Sequence, residues 1–178
     1  MRILKKKKSF FANVVLKLPI EKITSEFEKK FRDRIKPYSE LPIIREVKEG
    51  DYESIVLIYN RAYKNLHAKI LPINSDIVRD MDEDPESVIL VAEIDKNIAG
   101  LIILEFEGPN CEYVTITDWA VSPKFRRKGV GTRLCIAAWD YFKPRGIKEI
   151  RCEVYVNNPV AYNFISSMGF EEIRTDYY

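Results

Sequence analysis

The chain has 178 residues, 46% of them hydrophobic and 31% charged, and its formal net charge is +2. These values predict one globular domain with a substantial core, and the small net charge makes nucleic-acid binding an unfavoured function. A single histidine, His67, and three cysteines without metal-ligand spacing leave little material for a metal site or a serine–histidine triad.

The first 41 residues are predicted to form an extension, strand plus helix, that packs on a main domain of residues 42–178. Four consecutive lysines, Lys5–Lys8, are interpreted as a solvated end, with contact to an acidic partner or RNA as the alternative. Phe10–Leu18 has the composition of a strand. Apolar residues at helical spacing then predict a helix over Glu26–Ile35.

The main domain is predicted to alternate between strands and helices. Asp95-Lys96-Asn97 is a predicted hairpin turn between two of the strands. The order β-α-α-β-β-β-α-β-α-β is typical of an α/β protein with a mixed sheet flanked by helices. The predicted elements, in chain order, are strand Ile43–Val47, helices Tyr52–Asn65 and Asp76–Met81, strands Ser87–Ile94, Ile98–Glu105 and Tyr113–Val121, helix Thr132–Phe142, strand Ile147–Val156, helix Pro159–Ser167 and strand Phe170–Tyr178.

A glycine loop between a predicted strand and a predicted helix is the most informative segment. Gly129 and Gly131 let backbone amides approach a ligand without a Cβ in the way. Those amides and the free N–H groups at the helix start suit anionic oxygens, and Arg126, Arg127 and Lys128 add positive charge. The loop is neither a dinucleotide fingerprint nor a Walker loop. It predicts a pyrophosphate site, with a plain basic turn as the alternative.

With the strand before it, this loop resembles the acetyl-CoA motif of the GNAT superfamily of N-acetyltransferases. The family pattern is Gln/Arg-x-x-Gly-x-Gly/Ala after a strand that ends in Ala-Val, and the segment Trp119–Thr132 contains it. A second segment, Asn158–Ala161 followed by Met168–Phe170, looks like the family's Asn-x-x-Ala … Gly-Phe pattern. The resemblance covers residues 43–178 and implies the GNAT fold, a central mixed sheet with splayed strands flanked by helices.

The resemblance implies that acetyl-CoA binds as co-substrate, without a metal, where the strands at 113–121 and 147–156 splay apart. The pantetheine arm would pair with the backbone of the first strand, and the pyrophosphate would lie on the glycine loop. Asn158 would line the other side, although it could also simply cap its helix. The implied cofactor-binding residues are Trp119, Ala120, Val121, Arg126, Arg127, Lys128, Gly129, Val130, Gly131, Thr132, Asn158 and Ala161.

The implied reaction is direct attack of an amine on the thioester, which needs a base for the amine and a proton for the departing thiolate. Glu153 is the leading base because it matches a glutamate of ribosomal-protein N-terminal acetyltransferases; a solvent-facing strand carboxylate is the alternative. Asp118 is a rival that a bulge in its strand could redirect. The family's tyrosine acid is replaced by Ile165, so Tyr162, Tyr155 or water would protonate the thiolate.

A protein or peptide α-amine is the favoured acceptor, because its pKa near 8 leaves about 10% of it neutral at pH 7, against less than about 0.1% for lysine. The ending Arg174–Tyr178 resembles a tyrosine pair of N-terminal acetyltransferases. A small-molecule amine acceptor and a degenerate CoA-binding module remain as alternatives. An acyl-cysteine route through Cys135 or Cys152 is a further one.

Three predictions concern the surroundings of the domain. The odd number of cysteines favours a cytoplasmic location, and no apolar run is long enough to span a membrane. A homodimer is possible. Most family members have one more strand after the position of Tyr178, and Phe10–Leu18, from this chain or a partner's, is predicted to fill that place in the sheet.

Overall fold

The computed structural model describes residues 12–33, 41–64 and 71–177, and every structural statement below refers to them. The strands are β1 (Ala12–Pro19), β2 (Ile43–Glu46), β3 (Ser87–Ile94), β4 (Asn97–Glu107), β5 (Tyr113–Val121), β6 (Glu149–Tyr155) and β7 (Glu171–Tyr177). The helices are α1 (Ser25–Arg32), α2 (Tyr52–Tyr63), α3 (Ser75–Glu83), α4 (Val130–Phe142) and α5 (Pro159–Ser166). This order confirms the predicted α/β class. None of the described helices is long and apolar enough to cross a membrane.

Some sequence predictions fall on residues outside the described segments. They are Lys5–Lys8, the first residues of the Phe10–Leu18 strand, the helix ends at Ile35 and Asn65, His67, and Tyr178. The remaining boundaries agree with the structure to within one or two residues. The hairpin turn is confirmed too, since Asp95 and Lys96 both have the positive φ angles, 49° and 60°, of a tight two-residue turn.

All seven strands form one mixed sheet in the order β2-β3-β4-β5-β6-β1-β7. The β5–β6 pair is parallel and the other neighbours are antiparallel. β1 lies between β6 and β7, with Asn13 opposite both Tyr155 and Asp176. The predicted entry of the N-terminal strand into the sheet is therefore confirmed for Ala12–Pro19, and the strand comes from the same chain.

The side-chain pattern of β1 explains why it fits between two strands. Val14, Leu16 and Leu18 alternate along the strand and are buried in the core beneath one face of the sheet. Lys17 points to the other face, where its Nζ lies 3.2 Å from a carboxylate oxygen of Glu149 on β6. The period of two is what a strand needs to present one apolar face to a helical layer.

Helices cover both faces of the sheet and divide the core in two. On one face, α1, α4 and α5 pack over the larger core, which contains Leu134, Phe142 and Ile165. On the other face, α2 and α3 pack over a smaller core that contains Ile55 and Val78. The sheet is therefore the middle layer of three. Successive residues of one strand point to opposite faces of the sheet and so face different helices.

The sheet opens between β5 and β6. Their pairing runs from Tyr113 opposite Glu149 to Ile116 opposite Cys152 and stops there. Beyond this point β5 remains paired with β4 as far as Val121, whereas β6 remains paired with β1. The predicted splay is confirmed. On the sides where β5 and β6 no longer pair, their backbone groups face an opening rather than a neighbouring strand.

Candidate active site

The glycine loop between β5 and α4 presents backbone N–H groups near the open end of the sheet. Gly129 immediately precedes α4 and has a φ of 75°, a left-handed conformation that favours glycine. Glycine has no side chain to cap the helix, and a backbone bond of the opening turn runs from Arg133 N to Gly129 O at 3.0 Å. The N–H groups before Arg133 lack an intrahelical acceptor, so this turn is suited to an anion.

Arg126 and Arg127 shape the loop before the helix. The Nε of Arg126 donates to the carbonyl of Val121 at 3.0 Å and so holds the loop against the end of β5. Arg127 has a φ of 64° and is a second left-handed residue in the loop. Arg126, Arg127 and Lys128 are exposed, so positive charge surrounds the N–H groups. The loop therefore fits a pyrophosphate.

Two aromatic rings line the opening on the α4 and α5 side. Trp119 of β5 and Phe164 of α5 make an edge-to-face contact with ring centroids 5.0 Å apart. A Cβ on Gly131 would lie 3.4 Å from the Phe164 ring and 3.7 Å from Trp119 Nε1. Trp119 Nε1 and Thr117 Oγ1 are both buried without a hydrogen-bond partner among the described residues. Buried polar atoms of this kind fit a polar ligand.

Asn158 stands at the start of α5, directly after the loop that leaves β6. Its side-chain oxygen accepts a hydrogen bond from Ala161 N at 3.2 Å, so it caps the helix. Pro159 occupies the first helical position, where its missing N–H costs no hydrogen bond. The capping interpretation is confirmed, while contact of Asn158 and Ala161 with a ligand stays a prediction.

A β-bulge changes the direction of the side chains at the open end of β5. Leu104 of β4 lies opposite Ile116, and the preceding Ile103 lies opposite Asp118, so Thr117 is the extra residue. Before the bulge Ile116 faces the α4 layer; after it Asp118 faces α2 instead. The bulge that the sequence analysis considered is therefore present, and it carries a carboxyl group to the opposite face.

Asp118 is surrounded by aromatic side chains of α2. Its carboxylate is hydrogen-bonded to the Tyr63 hydroxyl, which also lies against the backbone N–H of Trp119. Burial raises the pKa of Asp118 to about 7; the Tyr63 bond lowers it and the charge of Glu105 raises it further. Burial and the charge of Asp118 raise the pKa of Tyr59 to about 12 and that of Tyr63 as well.

Glu153 and Tyr155 lie on β6 beyond the last β5 pair. Because Cys152 and Val154 are in the core under α4, alternation places Glu153 and Tyr155 on the α2 face, the same face as Asp118. Glu153 is exposed and accepts a hydrogen bond from Asn13 Nδ2 at 3.2 Å. The Tyr155 hydroxyl accepts a bond from Asn157 Nδ2 at 3.1 Å.

The other groups proposed for proton or acyl transfer lie on the α4 and α5 side. Tyr162 of α5 donates to a carboxylate oxygen of Glu172 on β7 at 3.2 Å. Ile165 is buried in the larger core, as its apolar side chain requires. Burial raises the pKa of Cys135 to about 12 and raises that of Cys152 too. Both cysteines are therefore thiols at neutral pH, which argues against an acyl-cysteine route.

Comparison with known proteins agrees with this arrangement. Residues 52–170, which contain the glycine loop, the splay and α5, match the model of the acetyltransferase (GNAT) family. The chain belongs to the GNAT acetyltransferase family. This acetyltransferase is 29% identical over 134 residues to an uncharacterized N-acetyltransferase of Bacillus subtilis, covering 72% of this chain and 89% of that protein.

Two further relatives carry more specific names. A [ribosomal protein bS18]-alanine N-acetyltransferase of Salmonella typhimurium is 36% identical over 66 residues, 36% of this chain and 45% of that protein. An aminoglycoside N-acetyltransferase in complex with CoA has a TM-score of 0.65 at 17% identity, with 80% of this chain and 97% of that chain covered. At this identity the second likeness shows the fold alone.

Two features of this acetyltransferase were not found by sequence reasoning. Tyr63 ends a helix more than 50 positions before Asp118, and no local pattern links them. Phe164 occupies a helical position that sequence alone assigns to a core. Both become visible only when the bulge and the splay bring separate elements together.

Proposed function

We propose that this acetyltransferase binds acetyl-CoA at the splay and transfers its acetyl group directly to the α-amine of a protein or peptide. The observation that carries the proposal is the position of two carboxylates, Asp118 and Glu153, on one face of the sheet at the open end. The glycine loop lies at the end of the same strand, β5. A cofactor would thus approach from the loop and an amine from the α2 face.

The cofactor residues of the proposal are those predicted from the sequence. Backbone groups of Trp119, Ala120 and Val121 face the opening, and the N–H groups at the start of α4 suit phosphate oxygens. Acetyl-CoA, when bound, supplies a thioester carbonyl as electrophile and a thiolate as leaving group. The protein's tasks are to hold it and to move protons.

Two carboxylates are candidates for the base, and a different observation supports each. Glu153 is exposed to solvent at the open end of the sheet, which suits a base that acts through a water molecule. Asp118 is half-buried with a pKa of about 7, so near neutral pH it can both accept a proton and release it. The amine loses its proton to one of them and attacks the carbonyl, and the thiolate leaves.

The protonation of the thiolate has no single candidate. Tyr155 shares the face of Glu153, whereas Tyr162 is bonded to Glu172 on the other side of the sheet. Glu153 is exposed, so water also has access to this end of the site. We propose that Tyr155 or water supplies this proton, and that Tyr162 supplies it only if its bond to Glu172 breaks.

An α-amine suits this site because its pKa near 8 lies close to that of the Asp118 carboxyl, whereas lysine near 10.4 would need a stronger base. The likeness to a ribosomal-protein alanine N-acetyltransferase supports the same acceptor. A small-molecule amine is the second candidate. A CoA-binding module without turnover is the third.

Release of free CoA thiol measures the acceptor directly. A peptide with one internal lysine is offered with its α-amine free and, as the matched control, with that amine blocked; a panel of small amines is run beside it. We expect thiol release with the free peptide only, and acetylation of its first residue by mass spectrometry. Transfer to the blocked peptide or only to small amines would contradict the α-amine acceptor, and CoA binding without any release would indicate the module.

The base is identified with Glu153→Gln and Asp118→Asn. Loss of a general base typically lowers the rate about 10²–10⁴-fold. We expect kcat to fall by this factor in one variant and to be largely retained in the other. The pH–rate profile of the variant that stays active should keep its acidic limb. If both variants keep kcat and the limb, neither carboxylate is the base.

A further inference from the structure

The indole N–H of Trp119 is a buried donor that no described residue satisfies. Its position is defined by two contacts. The ring meets Phe164 edge to face at 5.0 Å, and Nε1 lies 3.7 Å from where a Cβ on Gly131 would be. An indole nitrogen can only donate, so burying it without an acceptor costs free energy in the protein alone.

The place of this donor in the fold is specific. Trp119 lies on the part of β5 that has separated from β6, three positions past the last pair at Ile116. Its ring is on the α4 and α5 side, because Val121 packs on the larger core and Ala120 on the smaller one. Nε1 therefore lies where an elongated ligand would pass between the strand and the first turn of α4.

We propose that the side chain of Trp119, in addition to its backbone, binds CoA by donating a hydrogen bond from Nε1 to an amide carbonyl of the pantetheine arm. The inference rests on the proposed cofactor. It assigns the indole to the arm rather than to the phosphates, because the phosphates have the backbone N–H groups of the glycine loop. Thr117 Oγ1, also buried without a described partner, lies two positions closer to the split.

The small residue at Gly131 agrees with this role. A Cβ there would be in van der Waals contact with both the Phe164 ring and the indole nitrogen, at 3.4 Å and 3.7 Å. Glycine places no side-chain atom beside Nε1.

The test measures binding rather than turnover. Trp119→Phe removes the N–H and keeps an aromatic ring against Phe164, and isothermal titration with CoA and with adenosine 3′,5′-bisphosphate separates the two ends of the ligand. We expect about a three- to tenfold weaker Kd for CoA, the usual size of one lost hydrogen bond, and an unchanged Kd for the bisphosphate. Equal CoA affinity, or equal losses with both ligands, would overturn the proposal.

Trp139 provides the matched control, because its Nε1 is also buried without a hydrogen-bond partner among the described residues but lies away from the splay. It is the second of the two tryptophans and lies on α4, where its ring packs on Phe142 at 5.4 Å, beside α1. Trp139→Phe should bind CoA as the unchanged protein does, and it leaves Trp119 as the single indole fluorophore. The fluorescence emission of Trp119 in this variant should change on titration with CoA and not with the bisphosphate. An emission that does not change with CoA would contradict the contact.

An inactive protein that still binds CoA through Nε1 would refute the proposed transfer and leave this inference standing.

Discussion

The two sides of the splay are built in different ways. On the proposed cofactor side, the loop from Val121 to Gly131 is one continuous stretch of chain, and Arg126 within it bonds back to Val121. On the proposed acceptor side, Asp118 contacts Tyr63 of α2, and Glu153 of β6 contacts Asn13 of β1. The first side is encoded locally, and the second exists only when distant elements are in register. A cofactor site can therefore be recognised in a sequence more readily than an acceptor site.

The largest expected effect breaks the cofactor side alone. Gly129→Glu places a carboxylate at the start of α4 and strains a φ of 75°, so CoA binding should become undetectable by titration calorimetry. Gly146→Glu is the matched control, because Gly146 has a φ of 71°, lies beyond the other end of α4 and has no atom within 4 Å of a new Cβ. If Gly129→Glu binds CoA as well as Gly146→Glu does, the pyrophosphate lies elsewhere.

An intermediate effect tests whether both sides depend on β1. Leu16 is fully buried in the larger core, and truncation to alanine should lower the free energy of unfolding by about 2–5 kcal/mol. Leu57→Ala, at a side chain that is 71% exposed on α2, makes the same chemical change where little should be lost. Urea unfolding measures both, and equal midpoints for the two variants would show that β1 is not part of the cooperative unit.

The smallest expected effect sharpens the acceptor side. The folded-state pKa of Asp118 is about 7 and the unfolded value about 4, so between these pH values the folded protein holds a proton that the unfolded chain has released. The free energy of unfolding therefore falls as pH rises from 4 to 7 and then levels off. Asp118→Asn removes this loss and should be more stable than the unchanged protein by roughly 1–3 kcal/mol at pH 8, with little difference at pH 4.

Thermal or urea unfolding at several pH values follows that difference. Asp80→Asn, at an exposed position on α3, controls for the loss of one negative charge. A stability difference for Asp118→Asn that is the same at pH 4 and pH 8 would contradict the raised pKa. Tyr63→Phe should then raise the Asp118 pKa further, because the hydroxyl bond lowers it.

The predictable part of this structure is the part with short-range signals. Strand alternation, the turn at Asp95 and Lys96, and the position of the glycine loop between a strand and a helix were correctly predicted from residues close together in the chain. That the loop binds a pyrophosphate stays a prediction. The β1 position was inferred from a missing strand rather than from its own pattern. The direction of Asp118 could not be predicted, since one extra residue in the register decides which face a side chain meets.

The place of β1 in the sheet has a consequence for how the chain folds. Asn13 and Glu153, which it contacts, are 140 positions apart, so β1 is synthesised well before β6 and β7, the two strands with which it pairs. Until β6 and β7 are available, the apolar side chains of Val14, Leu16 and Leu18 cannot pack into the complete core. Long-range strand pairings of this kind form slowly. A nascent chain arrested before β6 would therefore carry its glycine loop but leave an apolar strand for chaperones to shield.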